Sequence, residues 1–179
     1  MKNNYNLEKL SQNQINKTLE EFSTKYMTHE NGLFILAPSG AGKTYFVDHQ
    51  TKKNWIDGDK LWTEAGAQPN RAWWLEGMPV ISEIDRRCDK VTEMAKEKGL
   101  WIMGASNNYL KPDAIVIPDW EEHKKLIYLR ETTNYDGGAT SDRLDQVVGH
   151  RKWILEWEKK GVPKFESIRE AVDYLTSSC

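Results

Sequence analysis

Cysteine is scarce in this sequence, and no long apolar run is present. The only two cysteines, Cys88 and Cys179, lie far apart in the 179 residues. Such spacing is typical of reduced thiols in an intracellular protein and does not suggest a disulfide-stabilised secreted domain. The four histidines lack the spacing of metal ligands, so we expect no zinc centre.

No segment approaches the roughly 18 consecutive apolar residues that a membrane-spanning helix requires. The first residues, Met1 to Leu10, are polar and do not resemble a signal peptide. We therefore expect a cytoplasmic protein with no membrane partner.

An excess of one charge is also missing. The sequence has 25 Lys and Arg residues against 27 Asp and Glu residues, for a net charge of -2. Proteins that hold duplex nucleic acid by its backbone usually carry a strong positive field. Duplex nucleic acid is therefore not expected as a partner. The length suits one domain with a single core, and nothing in the sequence indicates an oligomeric state.

Short apolar runs alternate with helical patterns along most of the chain. The predicted strands are 33–36, 54–56, 100–103 and 114–117. The predicted helices are 11–26, 42–50, 79–98, 119–129, 144–160 and 167–175. This alternation predicts an α/β domain, 1–179, with a mostly parallel sheet. The stretch 63–77 has no clean period, and the polar, glycine-containing segment 132–141 is predicted to be a mobile loop.

A phosphate-binding pattern follows the first predicted strand. The candidate nucleotide-binding residues are Ala37, Ser39, Gly40, Ala41, Gly42, Lys43 and Thr44. They match the P-loop pattern Gly-x-x-x-x-Gly-Lys-Ser/Thr, with Ala37 in the place of the first glycine. The glycines allow backbone N–H groups to surround a phosphate, Lys43 can reach the β and γ oxygens, and the Thr44 hydroxyl can bind Mg²⁺. We therefore expect Mg²⁺ with ATP or a related nucleoside triphosphate.

Two carboxylates, Asp57 and Asp59, flank Gly58 at the end of the second predicted strand. In an open parallel sheet this end faces the ligand crevice. Asp57 is a candidate Mg²⁺ ligand, and Asp59 could accept a proton from an acceptor hydroxyl or orient it. The alternative is a structural turn in which one aspartate caps the next helix.

These features together resemble the small P-loop kinases, notably gluconate, adenylylsulfate and shikimate kinases and the nucleoside monophosphate kinases. The resemblance covers about residues 33–175. Its basis is the 37–44 segment, Asp57-Gly58-Asp59, the third strand running into Gly104-Ala105-Ser106 and Tyr109, and a late arginine-containing loop. It implies a three-layer P-loop NTPase fold with a five-stranded sheet, Mg²⁺-ATP as donor, a substrate-side segment at 60–78 and a lid at 130–143. The N-terminal helical extension, 1–31, is outside the family pattern.

Site roles follow from the same resemblance. Asp59 looks like the acceptor-side acid, Arg86 or Arg87 like the acceptor-binding arginine, and Arg130 and Arg143 like catalytic lid arginines that act with Lys43. For Arg86 and Arg87 the alternative is a solvated helix face. The His150-Arg151 pair is expected on the surface. One departure is that Gly104-Ala105-Ser106 takes the place where a second magnesium-binding aspartate would be found.

The sequence thus predicts a kinase that transfers the γ-phosphoryl group of ATP to a small acceptor, which we expect to be a nucleotide or a nucleoside. A sugar acid such as gluconate is the alternative acceptor. A nucleotide-binding module or slow ATPase without any acceptor is the alternative from another functional class. Phosphorylation of a nucleic-acid end would need a basic channel that the net charge does not suggest.

Overall fold

The computed structural model describes residues 5–7, 9–133 and 138–177. Within these residues the helices are α1 (Gln12–Lys25), α2 (Lys43–His49), α3 (Met78–Glu97), α4 (Trp120–Glu131), α5 (Leu144–Lys159) and α6 (Ile168–Thr176). The strands are β1 (Leu33–Leu36), β2 (Trp55–Asp57), β3 (Trp101–Gly104), β4 (Ala114–Val116) and β5 (Lys164–Phe165). Short 3₁₀ helices are formed by Gly58–Leu61, Trp73–Leu75 and Ser141–Arg143.

The five strands form one parallel sheet in the order β2-β3-β1-β4-β5. Alternate residues of β1 face opposite sides because successive side chains of a strand point in opposite directions. Phe34 and Leu36 pack in one core cluster, and Ile35 packs in the other. The predicted α/β fold with a parallel sheet is confirmed.

Helices cover both faces of the sheet. The cluster containing Phe34 also holds Leu19 of α1, Val91 of α3 and Ile154 of α5. The cluster on the other face holds Val47 of α2 and Ala171 of α6. The N-terminal helix is therefore part of one helical layer, because its buried leucine packs directly into the central core.

Local sequence signals account for the helix boundaries. Ser11 accepts a hydrogen bond from the Gln14 amide at the start of α1, and Asp119 accepts from two amides at the start of α4. Ser167 and Glu170 form a complete capping box at the start of α6. None of the helices in the described part of the chain is both long and apolar enough to cross a bilayer.

The carboxyl ends of the strands bring four connecting segments to one edge of the sheet. The segment 37–42 follows β1, the 3₁₀ helix Gly58–Leu61 follows β2, residues 105–113 follow β3, and Pro118 follows β4. The chain leaves β1 toward β2 on one side and leaves the neighbouring β4 toward β5 on the other. Such a reversal of direction opens a crevice at this edge, where parallel α/β sheets bind ligands.

Candidate functional site

The loop between β1 and α2 is shaped by two glycines with left-handed backbone. Gly40 has φ 81° and Gly42 has φ 94°, which L-residues with side chains rarely adopt. At Gly40 a Cβ atom would also lie 2.7 Å from Cγ1 of Ile127 on α4. Position 40 therefore requires glycine for both conformation and space, whereas at Gly42 only the conformation demands it.

The Lys43 ammonium lies against this loop. Lys43 is only 6% exposed, and its Nζ donates to the carbonyl oxygens of Ala37 at 3.1 Å and Pro38 at 2.9 Å. Burial lowers the pKa of Lys43, while Asp59 and Asp57 act in the opposite direction. A buried cation held by backbone carbonyls is suited to exchange these weak partners for an anion.

Thr44 and the acidic pair are in contact. The Thr44 hydroxyl donates to Oδ2 of Asp57 at 2.6 Å, and Oδ1 of Asp57 accepts from the Asp59 amide at 3.0 Å. Asp57 therefore caps the 3₁₀ helix, as the structural alternative expected, and also contacts the loop that follows β1. Gly58 is required between the two acids because a Cβ atom there would lie 2.8 Å from the Met103 carbonyl oxygen of β3.

The carboxyl group of Asp59 has a raised pKa. Burial, followed by the nearby charge of Asp57, raises its pKa to about 7, while Lys43 and Arg130 oppose this rise. A carboxyl group with this pKa exchanges protons near neutral pH, where a general base is most effective. It borders an open cavity of about 290 Å³ that is lined by Thr44, Asp48, Asp57, Asp59 and Lys60.

The residues at this cavity fit a magnesium ion bound together with phosphates. Among the described residues no group of three His, Cys, Asp or Glu side chains could hold a metal by itself. Magnesium does not require such a cage, since it usually takes one or two carboxylates and completes its shell with phosphate oxygens and water. Thr44 and Asp57 provide one hydroxyl and one carboxylate in contact, which suits this mode.

The structure separates the two predicted lid arginines. Arg130, in the last turn of α4, donates to the Ser39 hydroxyl at 3.4 Å and also to the Ala139 carbonyl oxygen. The Ala139 amide donates to the same Ser39 hydroxyl at 2.9 Å. Arg143 instead lies 3.9 Å from the carboxylate of its neighbour Asp142. Arg130 is thus beside the loop that follows β1. Of the predicted lid, 130–143, residues 134–137 are outside the described residues, whereas Ala139 is buried and bonded to Ser39 and Arg130.

The other two predicted arginines are engaged on α3. Arg86 donates to Glu83 at 2.6 Å and 2.9 Å, and Arg87 donates to the same carboxylate at 2.8 Å. These bonds lower the pKa of Glu83 to about 2. Arg86 is exposed, as the solvated-face alternative expected. The Arg87 side chain is only 14% exposed and also donates to the Ala65 carbonyl oxygen at 3.5 Å, so it links α3 to the 60–78 segment.

The segment 60–78 contains an aromatic cluster. The ring centroids of Trp62, Trp73 and Trp74 lie 5.3–5.8 Å apart. Trp73 is buried and packs with Ile84 and Cys88 of α3, while Trp62 and Trp74 are partly buried. The segment therefore has a small core of its own, attached to α3.

Two buried acids on α3 were not predicted from the sequence. Asp89 accepts from the amides of Asn108 at 3.0 Å and Tyr109 at 2.7 Å, and so holds the loop after β3. Burial raises the pKa of both acids, that of Asp85 to about 7 with the charge of Asp89 contributing. Their positions next to Ile84 and Cys88 are the signal in the sequence, since those two residues mark the buried face of the helix.

His123 and Arg151 were also missed. His123 is fully buried, and its Nε2 lies 2.8 Å from the Ser39 carbonyl oxygen. Arg151 contacts the other ring nitrogen at 2.9 Å, so the expectation that this arginine lies on the surface away from the site was wrong. The available signal was that His123 and Ile127 are four residues apart and share the buried face of α4.

Comparisons with protein-family models, curated proteins and solved structures gave no significant match to this chain.

Proposed function

We propose that this chain is a phosphotransferase that uses ATP and Mg²⁺ to phosphorylate a small acceptor, within a P-loop NTPase fold. The observation that carries the proposal is the joining of three groups at one edge of the sheet: the Lys43 ammonium on the loop after β1, the contact between Thr44 and Asp57, and Asp59 beside them. Each group matches one requirement of phosphoryl transfer.

The triphosphate side is formed by the loop and its lysine. Lys43 would leave the carbonyl oxygens of Ala37 and Pro38 for the β and γ phosphate oxygens, which are stronger partners for a buried cation. Thr44 and Asp57 would hold the Mg²⁺. When bound, the ion would neutralise charge on the transferring phosphoryl group.

The acceptor side is defined by Asp59. Its carboxyl group borders the same cavity as Thr44 and Asp57. Its pKa of about 7 suits it to take the proton of an acceptor hydroxyl as the new P–O bond forms and the bond from the γ-phosphorus to the departing ADP breaks. Arg130, already in contact with Ser39, would add positive charge beside the transferring group.

The charges around Asp59 favour an uncharged acceptor, so among the expected acceptors we propose a nucleoside over a nucleotide. The cavity beside Asp59 is lined by the carboxylates of Asp48, Asp57 and Asp59 and by one cation, Lys60, and Arg86 and Arg87 are paired with Glu83. An anionic acceptor, such as a nucleoside monophosphate or a sugar acid, would meet like charge without an open guanidinium fork. The partly buried faces of Trp62 and Trp74 could stack on a base.

A second candidate function is supported by the capping role of Asp57. Because one of its oxygens accepts from the Asp59 amide, the acidic pair could serve structure alone in a nucleotide-binding module or slow ATPase. The two functions differ in one observable. A kinase releases ADP rapidly only with its acceptor, whereas a slow ATPase releases it at one rate regardless of acceptor.

The deciding experiment is an ADP-release screen with Mg²⁺-ATP against nucleosides, nucleoside monophosphates, sugar acids and single-stranded oligonucleotides. We expect one nucleoside to raise ADP release in step with product formation. Lys43→Ala, assayed in parallel, should abolish that signal and so exclude a contaminating kinase. Slow release that no acceptor changes would contradict the kinase proposal.

A further inference from the structure

His123 links the loop after β1 to two other elements. Its side chain extends from the first turns of α4, its Nε2 lies 2.8 Å from the Ser39 carbonyl oxygen, and its Nδ1 lies 2.9 Å from Nη1 of Arg151 on α5. The same Arg151 nitrogen donates to the Pro118 carbonyl oxygen at 2.8 Å. The ring is fully buried, so these protein groups and not water determine its hydrogen bonding.

These contacts determine the tautomer of the ring. A guanidinium group only donates hydrogen bonds and stays protonated in proteins, so Nδ1 of His123 must be the acceptor. A carbonyl oxygen only accepts, so Nε2 must carry the proton and donate it to Ser39. His123 is therefore a neutral imidazole with its proton on Nε2.

The hydrogen bond to Ser39 orients the first glycine peptide of the loop. In a trans peptide the C=O and N–H bonds point in opposite directions. Since the Ser39 carbonyl oxygen is directed at α4, the Gly40 amide is directed away from α4. The close approach of α4 to Gly40, where a Cβ atom would lie 3.4 Å from Nε2 of His123, leaves this peptide little room to turn.

We propose that His123 is a positioning residue for nucleotide binding, and that Arg151 holds its ring in the tautomer that keeps the Ser39–Gly40 peptide in its phosphate-binding orientation. His123 acts through the loop and contacts no reacting atom. The expected effect on nucleotide affinity rests on the proposed function, but the tautomer of His123 can be tested without any nucleotide.

The surroundings of the ring keep it neutral. Burial is the main cause that lowers the pKa of His123 to about 4, and the positive charges of Arg151, Lys43 and Arg130 act in the same direction, against the hydrogen bond to Ser39. Asp119, at the start of α4, is the acid that faces Arg151, and Trp120 packs against the ring edge. A protonated ring would also turn an N–H toward the Arg151 guanidinium.

The first experiment measures the tautomer in the free protein by long-range ¹H–¹⁵N NMR of the histidine rings. We expect His123 to show the Nε2–H form and to keep it down to about pH 5, well above its lowered pKa. Arg151→Met should allow the other tautomer to appear. A ring with its proton on Nδ1, or one that titrates near 6.5, would overturn the proposal.

The second experiment measures the affinity for a non-hydrolysable ATP analogue by calorimetry. His123→Phe keeps a buried ring but leaves the Ser39 carbonyl unpaired, so affinity should fall about ten-fold, the effect of losing one buried hydrogen bond. His123→Gln can donate to Ser39 and accept from Arg151, so it should restore most of the loss. The control is His29→Phe. His29 stacks on Trp101 and precedes β1 in the chain, so it lies at the opposite end of β1 from the phosphate-binding loop. This variant should bind as wild type does.

In the kinetic assay, His123→Phe should raise the KM for ATP and change kcat little, because the peptide contributes to binding in both ground and transition states. Equal affinity of His123→Phe and wild type, or a Gln variant no better than Phe, would refute the positioning role. If the wild-type protein fails to bind the analogue, the proposed function is wrong, and the NMR result alone then decides whether His123 holds the loop.

Discussion

Replacing Asp59 by asparagine should make the protein more stable and a poorer catalyst. The carboxyl group is half-buried beside Asp57, and both burial and that neighbour disfavour its charged form, so that its pKa rises from 3.8 to about 7. Asparagine has nearly the same shape but cannot ionise. The variant should therefore avoid the unfavourable free energy of the charged carboxylate in the folded state, and it should also be unable to accept a proton.

The sign and size of the stability change follow from proton linkage. Between about pH 4 and pH 7 the native state keeps a proton that the unfolded chain has lost, so wild-type stability falls as pH rises through this window. A shift of roughly 3 pKa units corresponds to about 4 kcal/mol. Because Asp59 is partly exposed, solvent screening reduces this ceiling, and we expect a gain of about 1–2 kcal/mol above pH 7 and almost none near pH 4.

The stability assay is thermal unfolding of wild type and Asp59→Asn at about pH 4 and about pH 8. For a chain of this size the gain corresponds to a rise in Tm of about 2–8 °C at the higher pH. Asp48→Asn is the matched control, since it removes an exposed charge from the same cavity. It should leave the Tm unchanged at both pH values. If Asp59→Asn showed no pH-dependent gain in stability, the folded state would not raise the pKa of Asp59.

The activity assay uses the acceptor found in the ADP-release screen. Loss of a positioned proton acceptor should lower turnover about 10²-fold or more with little change in ATP affinity. Wild-type turnover in Asp59→Asn would show that Asp59 serves only the turn after β2.

The remaining predictions concern the groups around Asp59. Wild-type kcat/KM should rise with pH to a plateau with a midpoint near 7, the pKa of Asp59, and a flat profile from about pH 5 to pH 9 would contradict its role as base. Lys43→Ala should fold normally but lose most triphosphate affinity by calorimetry, and unchanged affinity would refute the phosphate-binding assignment. Arg130→Ala should lower kcat by up to about 10³-fold, and Arg143→Ala far less, because only Arg130 contacts Ser39. Equal losses in the two arginine variants would show that both reach the phosphates on closure.

Local pattern was sufficient to predict most of the fold. The apolar runs at β1, β3 and β4 identify buried strands because a central parallel strand is covered on both faces, and capping residues mark the starts of α1, α4 and α6. No pattern in the sequence indicated the fifth strand, Lys164–Phe165. A fifth strand was expected only from the family resemblance. It has two residues at the sheet edge, one exposed and one half-buried, so it carries no apolar run.

The parts of the site that could be predicted are those whose residues lie close together in the sequence. The loop 37–44 and the pair Asp57 and Asp59 are short motifs whose position at strand ends follows from the alternation of strands and helices. The contact of His123 with Ser39 joins residues 84 positions apart, and Arg151 comes from a third element. Such contacts depend on how the helices pack, and no spacing rule in one sequence specifies them.

The cations on the loop after β1 and the acids that line the neighbouring cavity differ in sign, and this bears on how two substrates would be distinguished. Lys43 and Arg130 both contact the loop after β1, whereas the neighbouring cavity is lined by the acids Asp48, Asp57 and Asp59 and by one cation, Lys60. A triphosphate would be stabilised by the cations on the loop and would meet like charge in the cavity. An uncharged acceptor would lack that repulsion and could bind next to Asp59. For the proposed phosphotransferase, this arrangement would disfavour ATP at the acceptor position and would favour two different substrates over two nucleotides.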